Sequence, residues 1–121
     1  MTDSGLNGRR ILVVEDEYLI AGDIRDALLA AGATVLGPVP SVAQALDLIG
    51  SEPTPDGAML DINLRGEEIF VVADKLVELG VPFIFATGYD RSFIPDRFAT
   101  MPSLVKPIKA PDILAALKPL V

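Results

Sequence analysis

Chemistry in this chain would concentrate at four places where a short apolar run stops at polar residues. Glu15-Asp16-Glu17 follows Ile11-Leu12-Val13-Val14, and Asp61 follows Ala58-Met59-Leu60, with Asn63 two positions further on. Thr87 follows Phe83-Ile84-Phe85-Ala86, and Lys106 follows Leu104-Val105. Carboxylates gathered at one edge repel one another, and a hard divalent cation between them removes the conflict. A lysine adds a compact positive charge for a phosphate oxygen, and a threonine hydroxyl can donate to another. An aspartate at a metal site can attack phosphorus as a nucleophile. Each feature also has an ordinary explanation. Acids after a strand favour the positive end of the next helix, Thr87 before Gly88 can be a turn residue, and Lys106-Pro107 can be a solvated loop. Four ordinary explanations coinciding at the ends of strands one, three, four and five are much less probable than one shared site.

The elements around these positions support one edge. Ile11–Val14 is a β-branched run that reads as a strand buried on both faces. From Tyr18 to Ala31 the apolar positions Leu19, Ile20, Ile24, Ala27, Leu28 and Ala31 have helical spacing, and Gly32 supplies a stop. Thr34–Gly37 reads as a second strand ended by Pro38 and Pro40. Ser41 then caps a helix over Val42–Ile49. Pro53–Gly57 is a turn cluster, and Ala58–Leu60 is a third strand. A loop over Ile62–Gly66 leads into a helix over Glu67–Leu79, closed by Gly80. Phe83–Ala86 is the fourth strand. Asp90–Phe98 has room for a short helix that Pro95 interrupts. Leu104–Val105 is a brief fifth strand, and Ala110–Leu117 a last helix with Pro111 in its first turn. Strands alternating with helices argue for a parallel sheet covered on both faces. In such sheets, ligands bind beyond the carboxyl ends of the strands, where the strand order reverses.

Composition narrows the chemistry. The 121 residues are half hydrophobic and suit one domain with one core. Residues 1–9 read as a flexible tail and 10–121 as a single module. With no His and no Cys, the chain cannot run Ser-His-Asp or Cys-His catalysis, build a His- or thiolate-ligated zinc site, or act as its own phosphohistidine donor. The missing Cys fits a reducing cytoplasm. A net charge of −7 makes the chain a poor unaided DNA binder. No apolar run approaches the roughly 20 residues of a membrane span.

The quoted motifs together resemble the receiver domain of two-component response regulators. ILVVEDE carries the acidic pair Glu15-Asp16, AMLDINL carries Asp61, FIFATGY carries Thr87 and LVKPI carries Lys106. The match runs from about Arg10 to Leu120. The resemblance implies a flavodoxin-like, doubly wound, five-stranded parallel sheet of strand order 2-1-3-4-5, with the fourth helix irregular or shortened. It implies that Asp61 accepts a phosphoryl group from a histidine kinase, directly or through a phosphotransfer protein, in a Mg²⁺-dependent reaction. Asp16, Asp61 and the main-chain carbonyl of Asn63 would ligate Mg²⁺, with Glu15 acting through water. Lys106 and Thr87 would contact the phosphoryl group, and the Lys106-Pro107 peptide would be cis.

The chain departs from the family on the side that reports phosphorylation. Most receivers carry Tyr or Phe three residues before the lysine, where this chain has Ser103. Phe85-Ala86-Thr87-Gly88-Tyr89 resembles the signature of a receiver subgroup found mainly in alphaproteobacteria, many of whose members are single-domain and tied to stress signalling. Gly88 and Tyr89 are therefore expected to replace the usual aromatic switch. The sequence stops just after the last helix, so a stand-alone adaptor or phosphate sink acting through protein contacts is expected, with no metabolic enzyme activity. Two other readings compete. A haloacid-dehalogenase-like phosphatase needs a second Asp two positions after the nucleophile, where Asn63 stands and cannot act as a general acid. A degenerate receiver serving as a constitutive binding module is disfavoured by the intact Glu15, Asp16, Asp61, Thr87 and Lys106.

Overall fold

The computed structural model describes residues 5–62, 64, 69–88 and 94–121. Five parallel strands form one sheet in the order β2-β1-β3-β4-β5. They are β1 (Arg10–Val14), β2 (Thr34–Val39), β3 (Gly57–Asp61), β4 (Phe83–Thr87) and β5 (Ser103–Val105). The helices are α1 (Tyr18–Ala30), α2 (Val42–Ser51), α3 (Phe70–Glu78) and α4 (Ala110–Leu117), with a 3₁₀ turn over Asp96–Phe98. This is the flavodoxin-like order, and it reverses between β1 and β3.

Strand alternation sorts the core into two layers. Leu12, Val14, Ala58, Leu60, Phe83 and Phe85 pack with α2, α3 and the 3₁₀ turn. Ile11, Val13, Met59, Ile84 and Ala86 pack with Ile24 and Leu28 of α1 and Ile113 and Leu117 of α4. All of β3 and β4 is buried, as continuous apolar runs in a doubly covered sheet require.

Local signals set the element ends. The Ser41 hydroxyl accepts from the Gln44 N–H at 3.2 Å and caps α2. Gly32, at φ +88°, follows α1. There Ala33 N–H donates to Leu28 O and Gly32 N–H to Leu29 O, the paired bonds of a left-handed helix cap.

Two expectations need correction. β2 does not end at Gly37 but runs on through Pro38 to Val39. As an edge strand it tolerates a residue without an N–H. A register shift opposite Leu12 and Val14 accommodates the kink. Gly37 stands at φ +96°, where a Cβ would lie 2.7 Å from Val39 N and 2.9 Å from Val13 O. The Gly37-Pro38 peptide is cis. The tail expected over residues 1–9 is not free throughout: Leu6 is fully buried in the α1/α4 layer, and Gly8 N–H donates to Gly32 O. In the segment expected to hold an irregular or shortened fourth helix, the described residues form a 3₁₀ turn that begins directly after Pro95. Residues 89–93 lie outside the described residues.

Candidate functional site

Three strand ends converge at the point where the strand order reverses. Asp61 is the last residue of β3, and Glu15 and Asp16 directly follow β1. The Glu15 N–H donates to Val39 O, which ties the end of β1 to the end of β2. The Ile62 N–H donates to Ala86 O, and the Lys106 N–H to Thr87 O. These bonds set Asp61 beside β4 and Lys106 beside Thr87. The Lys106-Pro107 peptide is cis.

The side chains form a buried charge cluster. Lys106 Nζ donates to Glu15 Oε1 at 2.9 Å and lies 3.2 Å from Asp61 Oδ1 and 3.5 Å from Glu17 Oε1. Asp61 and Thr87 are 0 % exposed and Glu15 3 %. Carboxylate oxygens of Glu15, Asp16 and Asp61 all lie within 4.8 Å of one another. Burial pushes the Glu15 carboxyl up to about 8, with Asp61 adding to the rise and the Lys106 hydrogen bond opposing it. For Lys106 burial acts to lower the ammonium's pKa, but Glu15 and Asp61 outweigh it and the net shift is upward. Geometry therefore pairs Glu15 with Lys106 while electrostatics still favours a proton on Glu15. One ammonium does not balance this many acids in so little water.

A hard cation fits that imbalance. The donors are all oxygens, and Glu15 Oε2 is buried without a hydrogen-bond partner. Mg²⁺ takes one or two carboxylates and keeps several waters, which suits a half-open cluster in which Asp16 is only partly buried. Beside it, a groove of about 450 Å³ opens between the start of α1 and the end of β2, lined by Glu15, Asp16, Tyr18, Leu19, Pro38 and Pro40.

Of the expected site residues, the structure brings together Glu15, Asp16, Asp61 and Lys106, with Thr87 held beside Lys106 through the backbone. Asn63 and Tyr89 lie outside the described residues. Ser103 sits apart from the cluster, on β5 opposite Phe85. Gly88 directly follows β4. Glu17, the third acid of the Glu-Asp-Glu run, also reaches Lys106, at 3.5 Å from an exposed position.

No protein-family model matches the chain. The chain aligns with SdrG from Sphingomonas melonis Fr1 at 39 % identity, TM-score 0.81, over 99 % of this chain and 98 % of that one. Against the BeF₃-activated conformation of SdrG, from Pseudomonas melonis Fr1, the identity is 38 % and the TM-score 0.78 over the full length of both. The phyllosphere-induced regulator PhyR of Methylorubrum extorquens is 33 % identical over 92 residues, 74 % of this chain and 33 % of that regulator. The structure of the PhyR stress response regulator aligns at 27 % identity and TM-score 0.78, over 97 % of this chain and 46 % of that one. The chain thus spans a third to a half of the PhyR proteins. It belongs to the response-regulator receiver family. No helix among the described residues is long and apolar enough to cross a membrane.

Proposed function

We propose that this receiver is a phosphorylation switch in which Asp61 accepts a phosphoryl group from a histidine kinase, directly or by way of a phosphotransfer protein. One observation carries the reading: a fully buried carboxylate at the end of a central strand, 3.2 Å from a lysine ammonium and grouped with two further acids. An Asp61 oxygen attacks phosphorus while the bond from phosphorus to the donor's imidazole nitrogen breaks, its electron pair leaving with the imidazole. Lys106 shifts from the carboxylates toward the incoming phosphoryl oxygens and offsets their charge. Thr87, at the adjacent strand end, donates to another. Mg²⁺ held by Asp16 and Asp61, with Asn63 contributing its carbonyl and Glu15 a water contact, would supply further charge neutralisation. The acyl phosphate carries about −1.5 to −2 charge where the carboxylate carried −1.

Tyr18 and Leu19, 87 % and 78 % exposed beside Glu15 and Asp16, offer the donor protein an apolar contact surface next to the cluster. The acidic balance favours output by protein contact over DNA binding. Likeness to the PhyR stress response regulator supports a place in stress signalling, as an adaptor or phosphate sink in the cytoplasm. Gly88 and Tyr89 take over from the aromatic that Ser103 replaces.

The test is incubation with acetyl phosphate and Mg²⁺ followed by intact mass. The parent gains one phosphate, and Asp61→Ala or EDTA treatment abolishes the gain. Equal gain by parent and Asp61→Ala, or none by either, overturns the reading.

A further inference from the structure

The 3₁₀ turn is fastened to α3 by a forked ion pair. Arg97 Nε donates to Asp74 Oδ1 at 2.9 Å and Nη2 to Asp74 Oδ2 at 3.0 Å. This two-bond geometry fixes orientation as well as distance. The Arg97 guanidinium also lies 4.7 Å from the centroid of the Phe98 ring, so it is held by stacking on its other side.

Phe98 connects this pair to β4. Its ring is 2 % exposed and stacks on Phe70 of α3 at 5.9 Å. It meets Phe83 and Phe85 edge-on at 5.9 and 5.7 Å. Phe83, Phe85 and Thr87 alternate along β4 and so share one face of the sheet. Packed groups run from Phe85, two positions before Thr87 on the same face, through Phe98 and Arg97 to Asp74. Opposite Phe85, β5 offers only Ser103. The aromatic mass next to the strand end therefore sits on β4, α3 and the 3₁₀ turn. Close-packed rings do not deform continuously, so a displaced Thr87 would shift the cluster from one packing to another.

We propose that the Asp74–Arg97 pair is a latch that holds the 3₁₀ turn on α3 in this conformation, and that phosphorylation works against it. The proposal rests on Asp61 being the phosphoacceptor. Any interaction made more strongly in one conformation weakens a ligand that favours the other, and releasing it tightens that ligand by the same factor. Both partners are about half exposed, with side-chain exposures of 55 % and 51 %, so the factor is modest.

Fluoroberyllate, a phosphoryl mimic, provides the equilibrium test. With Mg²⁺ present, its affinity is measured from the Thr87 and Gly88 amide signals by NMR titration of four proteins: the parent, Asp74→Asn, Arg97→Gln and the double variant. Each single variant should bind about two- to fivefold more tightly than the parent, and the double variant no more tightly than the singles, because one broken pair cannot be broken twice. General structural damage would weaken binding, which is the opposite sign. Single variants that match the parent or bind more weakly, or a double variant whose factor is the product of the two singles, overturn the latch. Asp61→Ala is the control for the underlying reading: if the parent binds fluoroberyllate no better than Asp61→Ala, the phosphoacceptor assignment fails instead.

Discussion

The two ends of β4 solve different problems. At its carboxyl end, Thr87 stands beside Lys106, which answers the buried Glu15 and Asp61 and the exposed Glu17 within 3.5 Å. That arrangement is electrostatically incomplete and gains from a cation and a phosphoryl group. Along the rest of the strand, Phe83 and Phe85 enter a dry ring cluster with Phe70 and Phe98 that needs no ligand. The charged end can change state because its groups are poorly satisfied. The aromatic part can register that change because its packing is tight. Only Ala86 separates Phe85 from Thr87, so a sub-ångström shift at Thr87 has little slack in which to dissipate.

Variants that act on one end and spare the other test this division. The largest effect belongs to Asp61→Asn, which leaves shape intact but removes the nucleophile. Phosphorylation by acetyl phosphate should vanish in an intact-mass assay while the fold persists by circular dichroism. Phe98→Ala should do the reverse. Deleting a ring that is 2 % exposed and in contact with three others costs about 3–5 kcal/mol in urea unfolding, yet the folded fraction should still accept phosphate. Lys106→Met should slow phosphorylation about 100-fold, the usual scale for losing one charge-stabilising donor. If Phe98→Ala abolishes phosphorylation in fully folded protein, the two ends are not separable.

A smaller effect lies in pH. The folded-state pKa of Glu15, about 8, is above its unfolded value of 4.5. The folded protein therefore retains a proton that the unfolded chain releases. The associated stability is whole below pH 4.5, declines between 4.5 and 8, and is lost above. In EDTA, unfolding free energy should fall across this window by at most about 1 kcal/mol per pH unit. Glu15→Gln should flatten the slope. Mg²⁺ should flatten it too, because a cation beside the cluster favours the ionised carboxylate. Lys106, with its pKa raised, contributes stability that is lost only above the ordinary lysine range of 10.5, outside this window.

What the sequence shows of this molecule divides along the same line. The parallel sheet and the convergence of Glu15, Asp16, Asp61 and Lys106 were legible because each follows an apolar run, and a parallel sheet sends every such strand end to one edge, whereas the strand order came only with the receiver resemblance. The Gly32 stop and the Ser41 cap were legible because helix ends need partners within a few residues. Contacts between distant residues were not. Nothing local says that Leu6, in a polar stretch, is fully buried by α1 and α4, or that Arg97 finds Asp74 23 residues away. Pro38 pointed to the end of β2 because proline removes a ladder bond. Only the strand order shows that β2 is an edge, where that loss is tolerated.

The smallest effect is the most informative about readout. Ser103 is paired with Phe85 across the β4–β5 ladder, and its place is where most receivers carry an aromatic. If phosphorylation were reported through β5, restoring that aromatic with Ser103→Tyr would re-create a switch and alter fluoroberyllate affinity severalfold. If it is reported through Phe85, Phe98 and the Asp74–Arg97 pair, the new ring has no role in the transition. The affinity should then stay within about twofold of the parent, near the lower limit of what a half-exposed pair can contribute. Combining Ser103→Tyr with Asp74→Asn sharpens the distinction. Independent routes give the product of the single effects, whereas a ring that competes with Phe98 for Phe85 gives less than the product. A severalfold change from Ser103→Tyr alone would return the reporting role to β5 and leave the ring cluster as core.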